Sequence, residues 1–330
     1  MLDADASMVL NEPIATGSGA LPPIRLVLAA PRGFCAGVRR AIDAVVDALA
    51  RHGAPVYVRR PIVHNRTVVA SLEAKGAVFV EELDEIPEGG VVVLSAHGVP
   101  PQVAAEARRR GLTTYDAVCP LVAKVHREVA RHHRNGRHVI LIGHEDHPEI
   151  VGTLGQIPAG AASLVAGADD VLRLELNDGA PIGYAVQTTY SVEEAGEVIA
   201  TIESRFGDAV GPPSSDICYA TTNRQASVRS IAPTVDAMIV VGEAFSSNAC
   251  RLAEVAKACG CTSVQLVPDH KAIDWERLPP RGSIGITAAA STPEVAVDGV
   301  IEALGARYRL TIEEVGGPEE AAIFKPVRIG

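Results

Sequence analysis

Short apolar runs alternate along this chain with segments of helical periodicity, and this alternation restricts the fold more than any other feature. Helical repeats separate most of the runs: Val38–Leu49, Thr67–Lys75, Leu121–Val129, Val192–Phe206, Ser227–Val235, Asn248–Cys259 and Pro293–Leu304. The runs themselves are IRLVLAA, VYV, AVFV, VVVLSA, HVILIG, IGYAVQT, MIVVG, SVQLV and SIGIT. Strands that alternate with helices of this length form βαβ units, so we predict an α/β fold with mostly parallel sheets.

Three cysteines follow predicted strands and precede predicted helices, about one small α/β unit apart. They lie in GFCAGVRRAI, DAVCPLVAKVH and DICYATTNRQ, as Cys35, Cys119 and Cys218. Zinc knuckles place their cysteines two to four residues apart, and small disulfide frameworks are also denser than this. We therefore predict that three similar units direct their cysteines to one central iron–sulfur cluster. Because a cubane cluster normally takes four thiolates, three would leave one iron without a protein ligand.

The spacing of these cysteines divides the chain into three tandem α/β units. We place the units at residues 24–118, 119–217 and 218–330, the last with a C-terminal tail. Residues 1–23 are rich in Ala, Gly, Pro and Asp, and we predict a disordered extension there. The other cysteines, Cys250, Cys259 and Cys261, occupy a predicted helix and its end, where a small buried side chain is the expected role.

Composition narrows the function classes. The chain has 330 residues, of which 47% are hydrophobic but only 4% aromatic, so aliphatic side chains must build the core. A net charge of −10 argues against nucleic acid as a partner. No run reaches the roughly 18 apolar residues of a membrane helix, and no signal peptide precedes the first strand. We predict a cytoplasmic enzyme with reduced cysteines.

Polar residues follow the predicted strands at the edge where parallel sheets bind ligands. Several of these residues suit an anionic phosphate, although helix capping also explains the serines and the asparagine. They are His64, His97, His147, Ser246, Ser247, Asn248 and Ser291. Glu149 is the one carboxylate among them. It is either a first-turn helix residue or a general acid served by the hydroxyl of Thr188 or Thr189.

Taken together, the motifs resemble the 4-hydroxy-3-methylbut-2-enyl diphosphate reductases. The matching segments run from Ile24 to the C-terminus in the order PRGFCAGVRRAI, VHNR, SAHGV, DAVCPLVAKVH, GHEDHPE, QTT, DICYATTNRQ, SSN and AAASTPE. The resemblance implies a trefoil of three α/β/α units around one 4Fe–4S cluster with three cysteine ligands. It also implies reduction of the hydroxylated diphosphate to isopentenyl and dimethylallyl diphosphate, the last step of the non-mevalonate isoprenoid pathway.

The resemblance assigns a role to each candidate residue. Cys35, Cys119 and Cys218 become the cluster ligands, and Glu149 becomes the proton donor. The substrate contacts are His64, His97, His147, Thr188, Ser246, Ser247, Asn248 and Ser291. One departure stands out: the family pattern Gly-Ala-Ser is replaced here by Ala289-Ala290-Ser291. The extra methyl group lies beside a phosphate-contacting serine.

Two other functions fit a three-cysteine chain. One is a different iron–sulfur enzyme, such as a quinolinate-synthase-like dehydratase, and the other is a non-enzymatic redox sensor. The SSN and HPE segments favour the diphosphate reductase. Such a reductase needs a low-potential electron donor, a ferredoxin or a flavodoxin. Both are usually acidic, so we expect docking on the densest basic patch, which comprises Arg127, Arg131, Arg134 and Arg137.

Overall fold

The computed structural model describes residues 21–329. Most of the predicted N-terminal extension, residues 1–20, lies outside the described residues, and the first strand begins at Pro23. Among residues 21–329, no helix is long and apolar enough to cross a membrane.

Twelve strands and ten α-helices form the described chain. The strands are β1 (Pro23–Ala29), β2 (Val56–Arg59), β3 (Ala77–Val80), β4 (Val91–Leu94), β5 (Thr113–Asp116), β6 (His138–Ile142), β7 (Ala162–Val165), β8 (Ile182–Val186), β9 (Ala237–Val241), β10 (Ser263–Val267), β11 (Gly282–Ala288) and β12 (Arg309–Val315). The helices are α1 (Ala36–His52), α2 (Arg66–Glu73), α3 (Pro101–Arg109), α4 (Pro120–Arg134), α5 (Pro148–Leu154), α6 (Ala168–Arg173), α7 (Val192–Arg205), α8 (Tyr219–Ile231), α9 (Ser247–Ala258) and α10 (Glu294–Gly305).

The strands form three separate sheets, and every strand pair is parallel. The strand orders are β3-β2-β4-β5, β7-β6-β8 and β10-β9-β11-β1-β12. Each sheet has one apolar cluster on each face: α1 and α2 cover one face of the first sheet and α3 the other. Helices α4 and α5 lie opposite α7 on the second sheet, and α8 and α9 opposite α10 on the third. The predicted α/β fold of three α/β/α units is confirmed.

Strand β1 departs from the predicted unit boundaries. A first unit that begins at residue 24 would contain β1, but β1 lies between β11 and β12 in the third sheet. Its residues Leu26 and Val27 are fully buried on opposite faces of that sheet. A strand that is apolar on both faces belongs inside a covered parallel sheet, and the two long neighbours β11 and β12 provide that position.

Each of the three cysteines lies where the chain passes from one unit to the next. Cys35 separates β1 of the third sheet from α1 of the first unit, and Cys119 separates β5 of the first sheet from α4 of the second unit. Cys218 precedes α8 of the third unit, but it follows a loop rather than the predicted strand. Each crossing therefore places a cysteine directly before the first helix of the next unit.

Candidate active site

All three cysteines are helix N-cap residues. Cys35 precedes α1 and its Sγ accepts the backbone N–H of Val38 at 3.4 Å. Cys218 precedes α8 and its Sγ accepts the N–H of Thr221 at 3.4 Å. Cys119 precedes α4, whose first helical residue is Pro120. The positive ends of three helix dipoles therefore point toward the three thiols.

The three thiols line one cavity. A Cβ atom built on Gly37 would lie 2.8 Å from Sγ of Cys119 and 3.8 Å from Sγ of Cys35, so only glycine leaves these two sulfurs room. Burial raises the pKa of Cys119 to about 12 and that of Cys218 to about 11, and repulsion from Cys35 adds to both shifts. Here burial outweighs the backbone N–H groups, which favour the thiolate. A bound cation would reverse this balance.

Among residues 21–329, no three His, Cys, Asp or Glu side chains are close enough to hold one metal ion. In an iron–sulfur cluster each thiolate binds a different iron, so its ligands lie farther apart. Cys250, Cys259 and Cys261 do not border this cavity, and Cys261 lies in the apolar cluster behind the third sheet.

Three histidines, the histidine trio, form another wall of the cavity. The ring centroids of His64 and His97 are 4.3 Å apart, and His147 lies 5.5 Å from His64 and 5.9 Å from His97. Burial lowers the pKa of His64 to about 4 and that of His147 to about 3, and it lowers the pKa of His97 well below its ordinary value. The trio is therefore neutral at pH 7. Each ring has a buried nitrogen without a hydrogen-bond partner among residues 21–329.

The SSN segment forms the start of α9 and faces the same cavity. The Oγ of Ser246 accepts the N–H of Ala249 at 3.4 Å, so this serine caps the helix as the structural alternative predicted. Asn248 accepts the N–H of Ala290 through Oδ1 at 2.9 Å, while its buried Nδ2 has no partner in the described chain. Ser291 donates to the carbonyl of His64 at 3.2 Å. Capping and ligand binding are thus compatible in this segment.

The departure at Ala289 is accommodated by packing. Ala289 is buried and donates its N–H to the carbonyl of Val241 at 3.0 Å. Its methyl group faces Gly242, where an added Cβ would lie only 3.2 Å away. Because Gly242 has no side chain, the methyl group fits without moving the backbone beside Ser291.

Glu149 is a buried carboxyl group at the first turn of α5. It is 2% exposed, and it accepts the N–H and the hydroxyl hydrogen of Thr188, both at 2.7 Å. Burial raises the pKa of Glu149 to about 7; the two Thr188 hydrogen bonds oppose this shift and the charge of Asp216 adds to it. A substantial share of Glu149 is therefore protonated at neutral pH, as a general acid requires.

A hydrogen-bonded chain behind the cavity was not predicted. It begins at Arg251, which contacts His144 at 3.0 Å, and it continues through Gln187 and Thr189 to Ser247. Of His144, Gln187 and Thr189, only Thr189 stands out in the sequence, as one of two hydroxyl groups that could serve Glu149. The sequence signal for Arg251 is weak, because a single arginine one turn after the SSN segment is ordinary.

The family model described as LytB protein matches residues 26–305 of this chain. The chain belongs to the LytB protein family. It is 52% identical over 308 residues to 4-hydroxy-3-methylbut-2-enyl diphosphate reductase from Paracoccus denitrificans, covering 93% of this chain and 98% of the relative. The reductase from Cereibacter sphaeroides strain ATCC 17023 is 52% identical over 309 residues, which cover 94% and 97% of the two chains.

Solved structures agree with this family assignment. The Plasmodium falciparum E-1-hydroxy-2-methyl-but-2-enyl-4-diphosphate reductase superposes with a TM-score of 0.86 at 34% identity, covering 93% of this chain and 96% of that structure. A second reductase structure, described as the terminal enzyme of the non-mevalonate pathway, has a TM-score of 0.61 at 32% identity, with coverages of 86% and 99%. The motifs recognised in the sequence thus belong to a LytB-type fold.

Proposed function

We propose that this protein reduces 4-hydroxy-3-methylbut-2-enyl diphosphate to isopentenyl and dimethylallyl diphosphate, the last step of the non-mevalonate pathway. The observation that supports this most strongly is one cavity that combines three N-cap thiols, a neutral histidine trio and a buried acid of raised pKa. The cavity is partly open to solvent, as access for a small metabolite requires. The identity of the substrate is inferred from the LytB relatives that are named as this reductase.

We assign one 4Fe–4S cluster to Cys35, Cys119 and Cys218. The donor set fits, because thiols are the ordinary ligands of such clusters and the three converge from three units. Gly37 keeps the space beside two of the sulfurs free of side chains. When bound, the cluster supplies electrons one at a time and a Lewis-acidic iron without a protein ligand.

The diphosphate is held by neutral hydrogen-bond donors. The histidine trio has three buried nitrogens without partners, and Asn248 offers its unpaired Nδ2. Ser246 and Ser247 add hydroxyl donors, Ser291 adds a hydroxyl group whose hydrogen also reaches the carbonyl of His64, and the N-terminus of α9 adds backbone N–H groups. These contacts orient the allylic end toward the thiols and Glu149.

Glu149 delivers the proton to the departing hydroxyl. Hydroxide is a poor leaving group, so a proton must reach the oxygen as the carbon–oxygen bond breaks. Thr188 holds both carboxyl oxygens and so fixes the direction of the acid. Burial of the carboxyl group keeps the proton available near neutral pH.

The electrons come from a protein donor of low potential, a ferredoxin or a flavodoxin, which docks on α4. Two of the four predicted arginines are engaged elsewhere: Arg131 pairs with Glu128, and Arg137 donates to the carbonyls of Ile182 and Asp208. Arg127 and Arg134 have no such partner in the described chain, so they are the docking charges. A cytoplasmic location is supported by six free cysteines, as reducing compartments allow.

An anaerobic assay tests the proposed function. The reconstituted protein is incubated with 4-hydroxy-3-methylbut-2-enyl diphosphate and a chemical reductant, and the products are identified by mass spectrometry. We expect isopentenyl and dimethylallyl diphosphate together, and only when reductant is present. Turnover without reductant would indicate a dehydratase. No turnover by a protein with a complete cluster would refute the proposal.

A further inference from the structure

The hydrogen bonds around Gln187 have a fixed direction. The backbone N–H of His144 donates to Oε1 of Gln187 at 2.9 Å, and Nδ1 of the same histidine lies 3.4 Å from that oxygen. A backbone N–H can only donate, so the amide oxygen must face His144. The amide nitrogen of Gln187 therefore faces the other way, toward the cavity.

The contact between Arg251 and His144 shows which ring nitrogen of His144 carries the hydrogen. Nη2 of Arg251 lies 3.0 Å from Nε2 of His144, and a guanidinium group has no acceptor. Nε2 of His144 therefore accepts, which leaves the ring hydrogen on Nδ1, the nitrogen that faces Gln187. Ion pairs with Glu194 and Glu254 at 2.7 and 2.8 Å hold Arg251 in this position.

The amide nitrogen of Gln187 contacts two hydroxyl groups that can continue this direction. Nε2 of Gln187 donates to Oγ1 of Thr189 at 2.8 Å and approaches Oγ of Ser247 at 3.5 Å. Thr189 and Ser247 are 3.1 Å apart. Thr189 accepts from the amide and keeps its own hydrogen, for which Ser247 is the acceptor in reach, so Ser247 is free to give its hydrogen to a ligand. Apart from Thr189, Ser247 has no acceptor for its hydroxyl hydrogen among the described residues, and it borders the cavity.

We propose that Gln187 is a positioning residue that makes Ser247 a hydrogen-bond donor to the anionic ligand. The inference rests on the proposed diphosphate site. It specifies how the hydroxyl hydrogen of one donor, Ser247, is oriented before the ligand binds. A serine hydroxyl can present either its hydrogen or a lone pair, and only the hydrogen attracts a phosphate oxygen. The amide of Gln187, buried in the second unit, decides between these states for a serine of the third unit.

Substitution of Gln187 by Glu should reverse the direction of the hydrogen bonds from residue 187 to Ser247. A carboxylate accepts from Thr189 instead of donating to it, so Thr189 then accepts from Ser247 and a lone pair faces the ligand. Ser246 is the matched control, because it caps α9 from the same turn and has no hydrogen bond to Gln187 or Thr189. The probe is inorganic pyrophosphate, and its affinity for the cluster-loaded protein is measured by calorimetry under anaerobic conditions.

The test is a pair of double-mutant cycles. Gln187→Glu should weaken pyrophosphate binding about tenfold, the effect of losing one hydroxyl donor to a charged oxygen. We expect the same factor in the Ser246→Ala background. In the Ser247→Ala background the factor should be at least about threefold smaller, because the two residues are coupled. Any simple repulsion by the new carboxylate would act equally in both backgrounds.

Equal factors in both backgrounds would overturn the inference while leaving the diphosphate site intact. A parent protein that does not bind pyrophosphate would instead count against the proposed function and, with it, the inference. If Gln187→Glu does not fold, Thr189→Val replaces it in the same two cycles. That substitution removes the donor to Ser247, so it should be coupled to Ser247→Ala and not to Ser246→Ala. Thr189→Ser keeps the hydroxyl group and should restore the parent affinity.

Discussion

At the scale of single residues, Glu149 is held between opposing influences on its pKa. Burial favours the neutral acid, and the two hydrogen bonds from Thr188 favour the carboxylate. The result is a pKa of about 7, where the group can both hold and release a proton. A helix-start glutamate exposed to solvent would keep its ordinary pKa, so burial is what distinguishes the acid from a simple helix residue.

Glu149→Gln should reduce turnover by about 10²–10⁴, the usual contribution of a general acid. Gln keeps the shape of the side chain, so substrate affinity should stay close to that of the parent. In the parent, turnover should fall as pH rises through about 7, because the acid then loses its proton. Steady-state rates from pH 6 to pH 9 measure both effects. A variant within about threefold of the parent would place the proton donor elsewhere.

Ser246 and Ser247 differ in what they do for α9. Only Ser246 caps the helix, so Ser246→Ala should lower the free energy of unfolding by about 1 kcal/mol. Ser247→Ala should leave stability within about 0.5 kcal/mol of the parent and weaken substrate binding about tenfold or more. Chemical denaturation and calorimetry separate the two effects. Unchanged affinity in Ser247→Ala would remove this serine from the site.

Part of the candidate site was predictable from local sequence. Cysteines between a strand or loop and a helix are recognisable because N-cap positions follow from the start of helical periodicity. The direction of the Gln187 chain was not, because it depends on which amide atom faces His144 and on contacts across two units. The neutrality of the histidine trio likewise follows from burial, which sequence does not reveal.

At the scale of elements, α8 shows why one boundary was predicted wrongly. The predicted helix began at Ser227, whereas α8 begins at Tyr219. Its first two turns carry polar residues such as Thr221 and Arg224 that are nonetheless buried. Both faces of α8 are covered, so polar and apolar residues are buried alike. The sequence therefore lacks the one-sided apolar stripe from which the start of a helix is predicted. The strands β7 and β12 were also missed.

Helix α4 carries the proposed docking site for the electron donor. Reversing Arg127 and Arg134 to Glu should slow turnover with a protein donor and flatten its dependence on salt, because docking then lacks charge attraction. Turnover with a small chemical reductant should not change. Arg173→Glu is the matched control, since Arg173 is an exposed arginine on another helix, α6. Equal slowing by the control or with both reductants would exclude α4 as the docking site.

At the scale of the whole molecule, the C-terminal tail ties the units together. Arg224 of α8 is fully buried, where it donates to the carbonyl of Gly33 at 2.7 Å and pairs with Glu320 of the tail at 2.7 Å. Farther along the tail, the carbonyl of Lys325 accepts from Arg40 of α1 at 2.9 Å. The tail therefore links the helices that begin at Cys218 and Cys35.

Glu320→Gln should destabilise the protein by about 3–5 kcal/mol, because it leaves the buried charge of Arg224 without its partner. The matched control is Glu313→Gln, which removes an exposed ion pair with Arg25 and should cost no more than about 1 kcal/mol. Thermal unfolding measures both. Equal small effects would show that the tail does not stabilise the junction.

The iron content of cysteine variants tests most directly whether three units hold one cluster. The parent, reconstituted without oxygen, should contain about four irons per chain. Cys35→Ser, Cys119→Ser and Cys218→Ser should each lose most of this iron, because each removes one of three ligands. Cys250→Ser, Cys259→Ser and Cys261→Ser should retain it, since these thiols do not border the cavity. Full iron content in any of the first three, or equal loss in the last three, would contradict the account.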